Sequence, residues 1–247
     1  MKKLLLVFLL YNTSVFAETK PARQYETGPY QTHLLELYTS EGCSSCPPAE
    51  AWLASLKPAE LEQSAIIPLV FHVTYWDYIG WKDQFAQKQF DLRQRQLVTA
   101  EGGSTVYTPQ FFINSSTERN IAFAVRRLVM TEKKPASIKI TAAVTETEKT
   151  HRLELTLRPL SPQPDGIGRI YIAAYENGIS SAIQAGENKG RVSLHEYLVR
   201  QLQSALVALN ETNQLSFEIH KSTNHWSGMV VFVESGGQVI EALKIGL

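Results

Sequence analysis

Cys43 and Cys46 are the only two cysteines in this 247-residue chain, and only Ser44 and Ser45 separate them. They lie within HLLELYTSEGCSSCPPAEAWLASL (residues 33–56), which reads as an apolar strand, a short polar turn and the start of a helix. A thiolate attacks a disulfide, and a second thiol three residues on can resolve the mixed disulfide that forms. Unpaired amide N–H groups at a helix start favour negative charge on the first sulfur. Pro47 and Pro48 lack donors and belong in the first helical turn, with Ser44 or Ser45 as cap. The helix is therefore expected to begin near Ser45 or Cys46, leaving Cys43 just outside it. Glu41 opposes ionisation of Cys43, and no Lys or Arg in the motif offsets it.

Two other chemistries compete with thiol exchange. The pair could be a staple that only rigidifies the turn, although closing so short a loop removes little unfolded-chain entropy. It could instead supply two ligands to copper or zinc, with His72 as a third ligand and His33 in the adjacent predicted strand. A histidine in an apolar strand is more often a satisfied core residue than a ligand.

Two further stretches bear on the pair. Thr108-Pro109 precedes the short apolar run QFFIN (residues 110–114). The proline either simply initiates that strand or sits in a cis bond, in which case the Thr108 backbone could pair with an extended substrate. The run YWDYIGWKD (residues 75–83) sets Trp76, Tyr78 and Trp81 beside Asp77 at the carboxyl end of a predicted buried strand. It is read either as a groove for an apolar peptide or as a lid packed on the core. Asp77 is the carboxylate that could relay a proton, and Asp83 is a helix-cap candidate.

The elements that must position these residues fall into two halves. In the first, strands at His33–Thr39, residues 66–75 and residues 110–114 alternate with helical patterns at residues 47–56, 84–98 and 119–130, which implies a mostly parallel sheet. Lys57-Pro58 is expected to end the first helix. The charged run TEKKP (residues 131–135) marks a boundary. Beyond it apolar residues recur with period two, as in Ile138, Ile140, Ala142 and Val144, or Leu153, Leu155 and Leu157. Residues 193–209 fit either a helix or a strand. Gly236-Gly237 reads as a two-residue hairpin turn. GENKGR (residues 186–191) reads as a solvated turn or a loop that reaches back to the first half.

The chain opens with two lysines, an apolar run and Val15-Phe16-Ala17, the order of an export signal cleaved before Glu18. An exported, periplasmic protein is the expectation, and it would meet oxidising conditions in which close cysteines tend to pair. Lys and Arg number 24, as do Asp and Glu, so neither nucleic acid nor an anionic membrane surface is an expected partner. No apolar run is long enough to span a bilayer.

LYTSEGCSSCPPAE (residues 37–50), FHVTYWDYIGWKDQF (residues 71–85), VYTPQFFIN (residues 106–114) and GENKGR together resemble the thioredoxin superfamily, and more closely the exported "domain of unknown function 1223" family. The resemblance implies a thioredoxin-like domain, a reactive Cys43, a resolving Cys46 and a cis Pro109. Two departures stand out: Gly42 replaces the tryptophan common before the first cysteine, and only residues 115–118 remain for an edge strand.

The expectation is an α/β thioredoxin-like domain (residues 18–132) after a leader (residues 1–17), followed by a mostly antiparallel, sandwich-like β domain (residues 136–247). The expected activity is thiol–disulfide exchange on protein substrates with an unidentified redox partner and no cofactor. Cys43 and Cys46 would be catalytic and form a disulfide, with Thr108, Pro109, Trp76, Asp77 and Trp81 positioning the substrate. The alternatives are a metal module using Cys43, Cys46 and His72, or a non-catalytic binding protein.

Overall fold

The computed structural model describes residues 22–162, 166–221 and 226–247. The leader expected at residues 1–17 lies outside them. In chain order the strands and α-helices are β1 (Arg23–Glu26), β2 (His33–Thr39), α1 (Cys46–Ser55), α2 (Pro58–Ser64), β3 (Ile66–His72), α3 (Lys88–Ala100), β4 (Gln110–Ile113), β5 (Ser116–Glu118), α4 (Ile121–Met130), β6 (Ile138–Glu146), β7 (Thr150–Pro159), β8 (Ile167–Glu176), β9 (Ile179–Ala182), β10 (Val192–His195), β11 (Leu198–Ala208), β12 (Asn213–His220), β13 (Gly228–Ser235) and β14 (Gln238–Gly246). A 3-10 helix, Thr74–Ile79, follows β3.

Eight strands form one mixed sheet in the order β14-β13-β8-β11-β3-β2-β4-β5. Strands β2 and β3 run parallel, whereas β4 is antiparallel to β2 and to β5. The two halves of the chain meet where β11 joins β3, through Leu198 beside Val70 and the bond from Val70 N to the Tyr197 carbonyl. A second sheet, β1-β6-β7-β12, is wholly antiparallel, and β9 and β10 pair as an antiparallel ribbon.

This overturns the expected α/β thioredoxin-like domain followed by a separate β domain. Strands dominate among the described residues, and one sheet runs through both halves. Even β1, at the start of the chain, pairs with β6 beyond residue 135. Nor is the first half mostly parallel. Asn114 and Ser115 both adopt positive φ, 48° and 71°, the geometry of a tight two-residue hairpin. They turn β4 straight back into β5, where a parallel connection would have needed a helical crossover.

Burial explains why the halves fuse. On β8, Ile170, Ile172 and Ala174 face the four-stranded sheet and share a core with Ile138, Ile140, Leu153 and Leu155. The alternate residues, Tyr171, Ala173 and Tyr175, face the other way, into a core with Phe71, Phe90, Phe112 and Phe232 that α3 covers. A strand apolar on both faces needs cover on both. A third core sets Leu53 of α1, Leu61 of α2 and Val125 of α4 against Leu35, Leu37 and Val70.

Local signals explain several smaller outcomes. Pro58 does not merely end α1; it opens α2, whose Glu60 side chain accepts from Lys57 N at 2.9 Å, consistent with proline at a first helical position. The ambiguous residues 193–209 are strands: β11 pairs with β8 along its length, so strand pairing decides what periodicity left open. Gly236 and Gly237, at φ 55° and 77°, form the turn that joins β13 to β14.

Candidate functional site

Helix α1 begins at Cys46, with Ser45 as its cap residue and Pro47 and Pro48 in its first turn. Cys43 lies in the preceding turn, its N–H donating to the Ser40 carbonyl at 3.1 Å, while Cys46 N donates to the Cys43 carbonyl at 3.2 Å. The two sulfurs form a disulfide, with Cα atoms 5.4 Å apart. Both cysteines are fully buried. Ser45 Oγ lies 3.4 Å from Cys43 Sγ. In this disulfide form the sulfurs are bonded to each other and are not thiolate ligands.

The turn is covered by residues 186–191 of the second half. Asn188 is buried, and its Nδ2 donates to the Glu41 carbonyl at 2.8 Å and to the Cys43 carbonyl at 2.9 Å. Glu187 accepts from Ser44 N at 3.2 Å. GENKGR is therefore a loop that reaches back to the cysteine turn. Gly186, at φ 74°, packs against Trp81 and Ile79, where a side chain would crowd Trp81 Cβ at 3.2 Å.

Beneath the turn lies a buried chain of carboxylates and imidazoles. Glu41 Oε1 is 3.2 Å from His195 Nε2, and Glu41 Oε2 accepts from Trp81 Nε1 at 2.7 Å. His195 Nδ1 is 2.7 Å from Glu50 Oε2, and Glu50 Oε1 accepts from Thr39 Oγ1 at 2.7 Å. On the other side, His72 Nδ1 meets Asp83 Oδ2 at 2.7 Å, and that oxygen also accepts from Glu41 N at 2.9 Å. The His72 and His195 rings meet edge-on with centroids 4.9 Å apart, and Phe85 packs on both.

Electrostatics follow from this geometry. Burial disfavours the charged form of His195, but the bonds from Glu41 and Glu50 outweigh it and raise its pKa to about 9. Burial works to raise the Asp83 pKa, yet His72 and the Glu41 and Phe85 amides take it down to about 2. Glu50 likewise ends below its ordinary value despite burial, through the two histidines and the Thr39 hydroxyl. The contact with Asp83 engages His72 through Nδ1. His72 Nε2 is buried and has no partner among the described residues.

The sequence-predicted positioning residues divide. Trp76 Nε1 donates to Thr108 Oγ1 at 2.6 Å, and Trp76 Cβ packs where a Gly42 side chain would stand, 3.2 Å away. Trp76 thus ties the Thr108-Pro109 loop, whose peptide bond is cis, to the residue before Cys43. Trp81 belongs to the buried chain through Glu41. Asp77 is only partly buried; its Oδ1 accepts from Asp83 N at 3.2 Å, and desolvation raises its pKa. It braces the 77–83 loop, and the acid beside the cysteines is Glu41. Tyr78 is 81% exposed and stacks on Trp76. His33, the other candidate ligand, is tied instead to Asn114 Nδ2 at 2.7 Å.

The family model described as "Protein of unknown function (DUF1223)" matches residues 34–234. The chain belongs to the DUF1223 family. No curated protein matches it. Among solved structures, protein AGR_C_4864 from Agrobacterium tumefaciens is 18% identical with a TM-score of 0.62, over 89% of this chain and 96% of that one. HBP35 of Porphyromonas gingivalis is 14% identical with a TM-score of 0.66, over 89% of this chain and 76% of that one. These likenesses establish a shared fold.

Sequence reasoning about this DUF1223 chain missed Glu50 and His195 as site residues and reached Asn188 only as part of a loop that could reach back to the first half. GENKGR was a visible signal for Asn188. Glu50 follows the cysteine motif in the first turns of α1, a position from which a side chain can face the preceding strand. His195 had no signal, since it is a lone histidine 145 residues from the glutamate it bonds. Glu41 was read only as an obstacle to Cys43 ionisation; His195 answers its charge.

Proposed function

We propose that this protein is an exported thiol–disulfide oxidoreductase that exchanges disulfides with other exported proteins through Cys43 and Cys46. The observation that carries this reading is the tie made by Trp76, which bonds Thr108 and packs against Gly42, beside the disulfide at the start of α1. That arrangement supports a place for an extended substrate, paired with the Thr108 backbone, next to the reacting sulfurs.

In the oxidising direction a substrate thiolate attacks Cys43 Sγ. The Cys43–Cys46 bond breaks, and Cys46 leaves as a thiolate that takes up a proton. A second substrate thiolate then displaces Cys43, so the substrate gains a disulfide and the protein retains two thiols. Re-oxidation needs a disulfide-bearing partner, and the reverse sequence reduces a substrate disulfide. Since both sulfurs are buried, attack requires residues 186–191 to move aside.

That burial also favours a second reading, a structural bridge that only closes the turn between β2 and α1. Against it stands the short separation of the cysteines, which gives little entropic stabilisation. A Cys46→Ser variant expressed in its exporting host decides between the two. Exchange predicts mixed disulfides through Cys43 that dissolve on reduction and are absent from Cys43→Ser. If none forms, and if Cys43 of that variant alkylates no faster than a free thiol, the bridge is structural.

A further inference from the structure

We propose a divalent transition-metal site, distinct from the cysteines, formed by His72, His195 and Glu50. A ligand-capable nitrogen of each histidine and a carboxylate oxygen of Glu50 all lie within 4.8 Å of one another. The three come from β3, β10 and α1, so both halves of the chain contribute. Two imidazoles and one carboxylate form a donor set suited to zinc or a neighbouring first-row ion, with a fourth position left for water or a ligand.

The strongest pointer is His72. Its Nδ1 is committed to Asp83, so its free ring atom is Nε2, which is fully buried and has no hydrogen-bond partner among the described residues. A buried nitrogen left unsatisfied costs free energy unless something binds it. The surroundings also match the way proteins support a metal. A ligating histidine usually donates its other N–H to a carboxylate, which fixes the ring and strengthens the donor. Here Asp83 plays that part for His72, and Glu41, at His195 Nε2, plays it for His195. Thr39 holds the second oxygen of Glu50.

Charge points the same way. Glu41, Glu50 and Asp83 converge on two imidazoles, and among the described residues no lysine or arginine forms an ion pair with any of the three. A dication taking the place of the His195 proton would offset two of the three carboxylate charges. There is also an entry route. Glu50 lines a cleft of about 720 Å³ between α1 and β10, together with Pro47, Ala54, Arg191 and Leu194. Its side chain is the one ligand that reaches solvent, at 11% exposure against 0% for both histidines.

Loading requires a small rearrangement. Donors about 2.0–2.2 Å from one ion stand roughly 3.4 Å apart in a tetrahedral site. Separations of up to 4.8 Å must therefore close by up to about 1.4 Å, and the 2.7 Å contact between His195 Nδ1 and Glu50 must open. The proton held in that contact leaves as the metal takes both atoms. Glu50, beside the cleft, is the ligand that must shift, and its bond from Thr39 Oγ1 anchors the oxygen that does not face His195.

The test uses full-length protein with its disulfide intact, titrated with zinc against a chromophoric chelator. The expected result is one zinc per chain, bound at least tenfold more weakly by His72→Ala, His195→Ala and Glu50→Gln. Asp83→Asn, which touches no metal, should weaken binding about 10–100-fold. Crystals of the unaltered protein soaked in zinc should show an anomalous peak bonded to the three side chains, a readout that stands even if a histidine variant fails to fold. The proposal is overturned if the oxidised protein binds no zinc, if the peak lies elsewhere, or if zinc binds only after reduction of Cys43–Cys46. The last outcome would assign the metal to the thiolates.

Discussion

Arg93 and His195 each bring charge into the interior, and each ties the first half of the chain to the second, yet their surroundings are matched differently. Arg93 meets Glu36 through two bonds of 2.7 and 2.8 Å and Glu234 through one of 2.7 Å. Tyr38 adds a bond to Glu36, and Tyr171 and Phe232 lie under the guanidinium at 4.5 and 4.9 Å. None of the side chains in that cluster leaves a buried polar atom unpartnered. The cluster around His195 holds three carboxylates, a second imidazole with an unused nitrogen, and a route to solvent at Glu50. A closed ionic cluster positions α3 against the sheet. An open one, beside a disulfide, has capacity for something further. The difference teaches that burial of charge alone does not mark a site; unmatched charge and unused donor atoms do.

The largest expected effect tests the closed cluster. Arg93→Met strands Glu36 without a cation in a fully buried position and should cost about 3–5 kcal/mol, read from urea unfolding. A cost below about 1 kcal/mol would mean that the two clusters do not differ in kind. Next comes the open cluster. Zinc at a hundredfold excess over its dissociation constant should stabilise the unaltered protein by about 2.7 kcal/mol and leave His72→Phe unmoved.

Glu241 sharpens the contrast because it is a buried carboxylate that forms no ion pair among the described residues, with Lys139 acting on it only through space. Its Oε1 accepts from Thr32 N and Ala242 N at 3.0 and 3.1 Å, and its Oε2 has no partner. Burial raises its pKa to about 7. Because the folded-state pKa exceeds the unfolded one, the fold prefers the protonated acid. Stability is therefore lost as pH climbs from the unfolded value, about 4.5, through 7. Glu241→Gln should gain about 3 kcal/mol at pH 8 and nothing at pH 4, measured by unfolding at both. An equal gain at both values would assign the effect to packing.

The smallest effect concerns access to the disulfide. Asn188→Ala removes two bonds to the cysteine turn, at about 1 kcal/mol each. Reduction by dithiothreitol should then speed up by roughly 5–30-fold. An unchanged rate would show that residues 186–191 do not control access to the sulfurs.

Local physics made part of this legible in advance. Two serines and two prolines around the cysteines placed the helix start near Ser45 or Cys46, because a cap and donor-free residues belong there. Period-two runs located β6 and β7, and paired glycines located the last hairpin. Other features failed for physical reasons. Pro58 was read as a stop, although proline also starts helices. The turn at Asn114-Ser115 was overlooked because neither residue is glycine. The division into two domains failed because strands apolar on both faces, as β8 is, record that both sides are covered without recording by what.

From the sequence alone came the cysteine pair, its place at a strand-to-helix turn, the Thr108-Pro109 and aromatic segments worth tying to it, and the family resemblance. Only the tertiary structure decided that one sheet unites the halves and that His195 and Asn188 close on Glu41, Cys43 and Glu50. Helical and strand periodicities register a residue's neighbours three or four positions away, or across a face. They carry no trace of a contact made 145 residues along the chain, where the packing of whole sheets sets which charges meet.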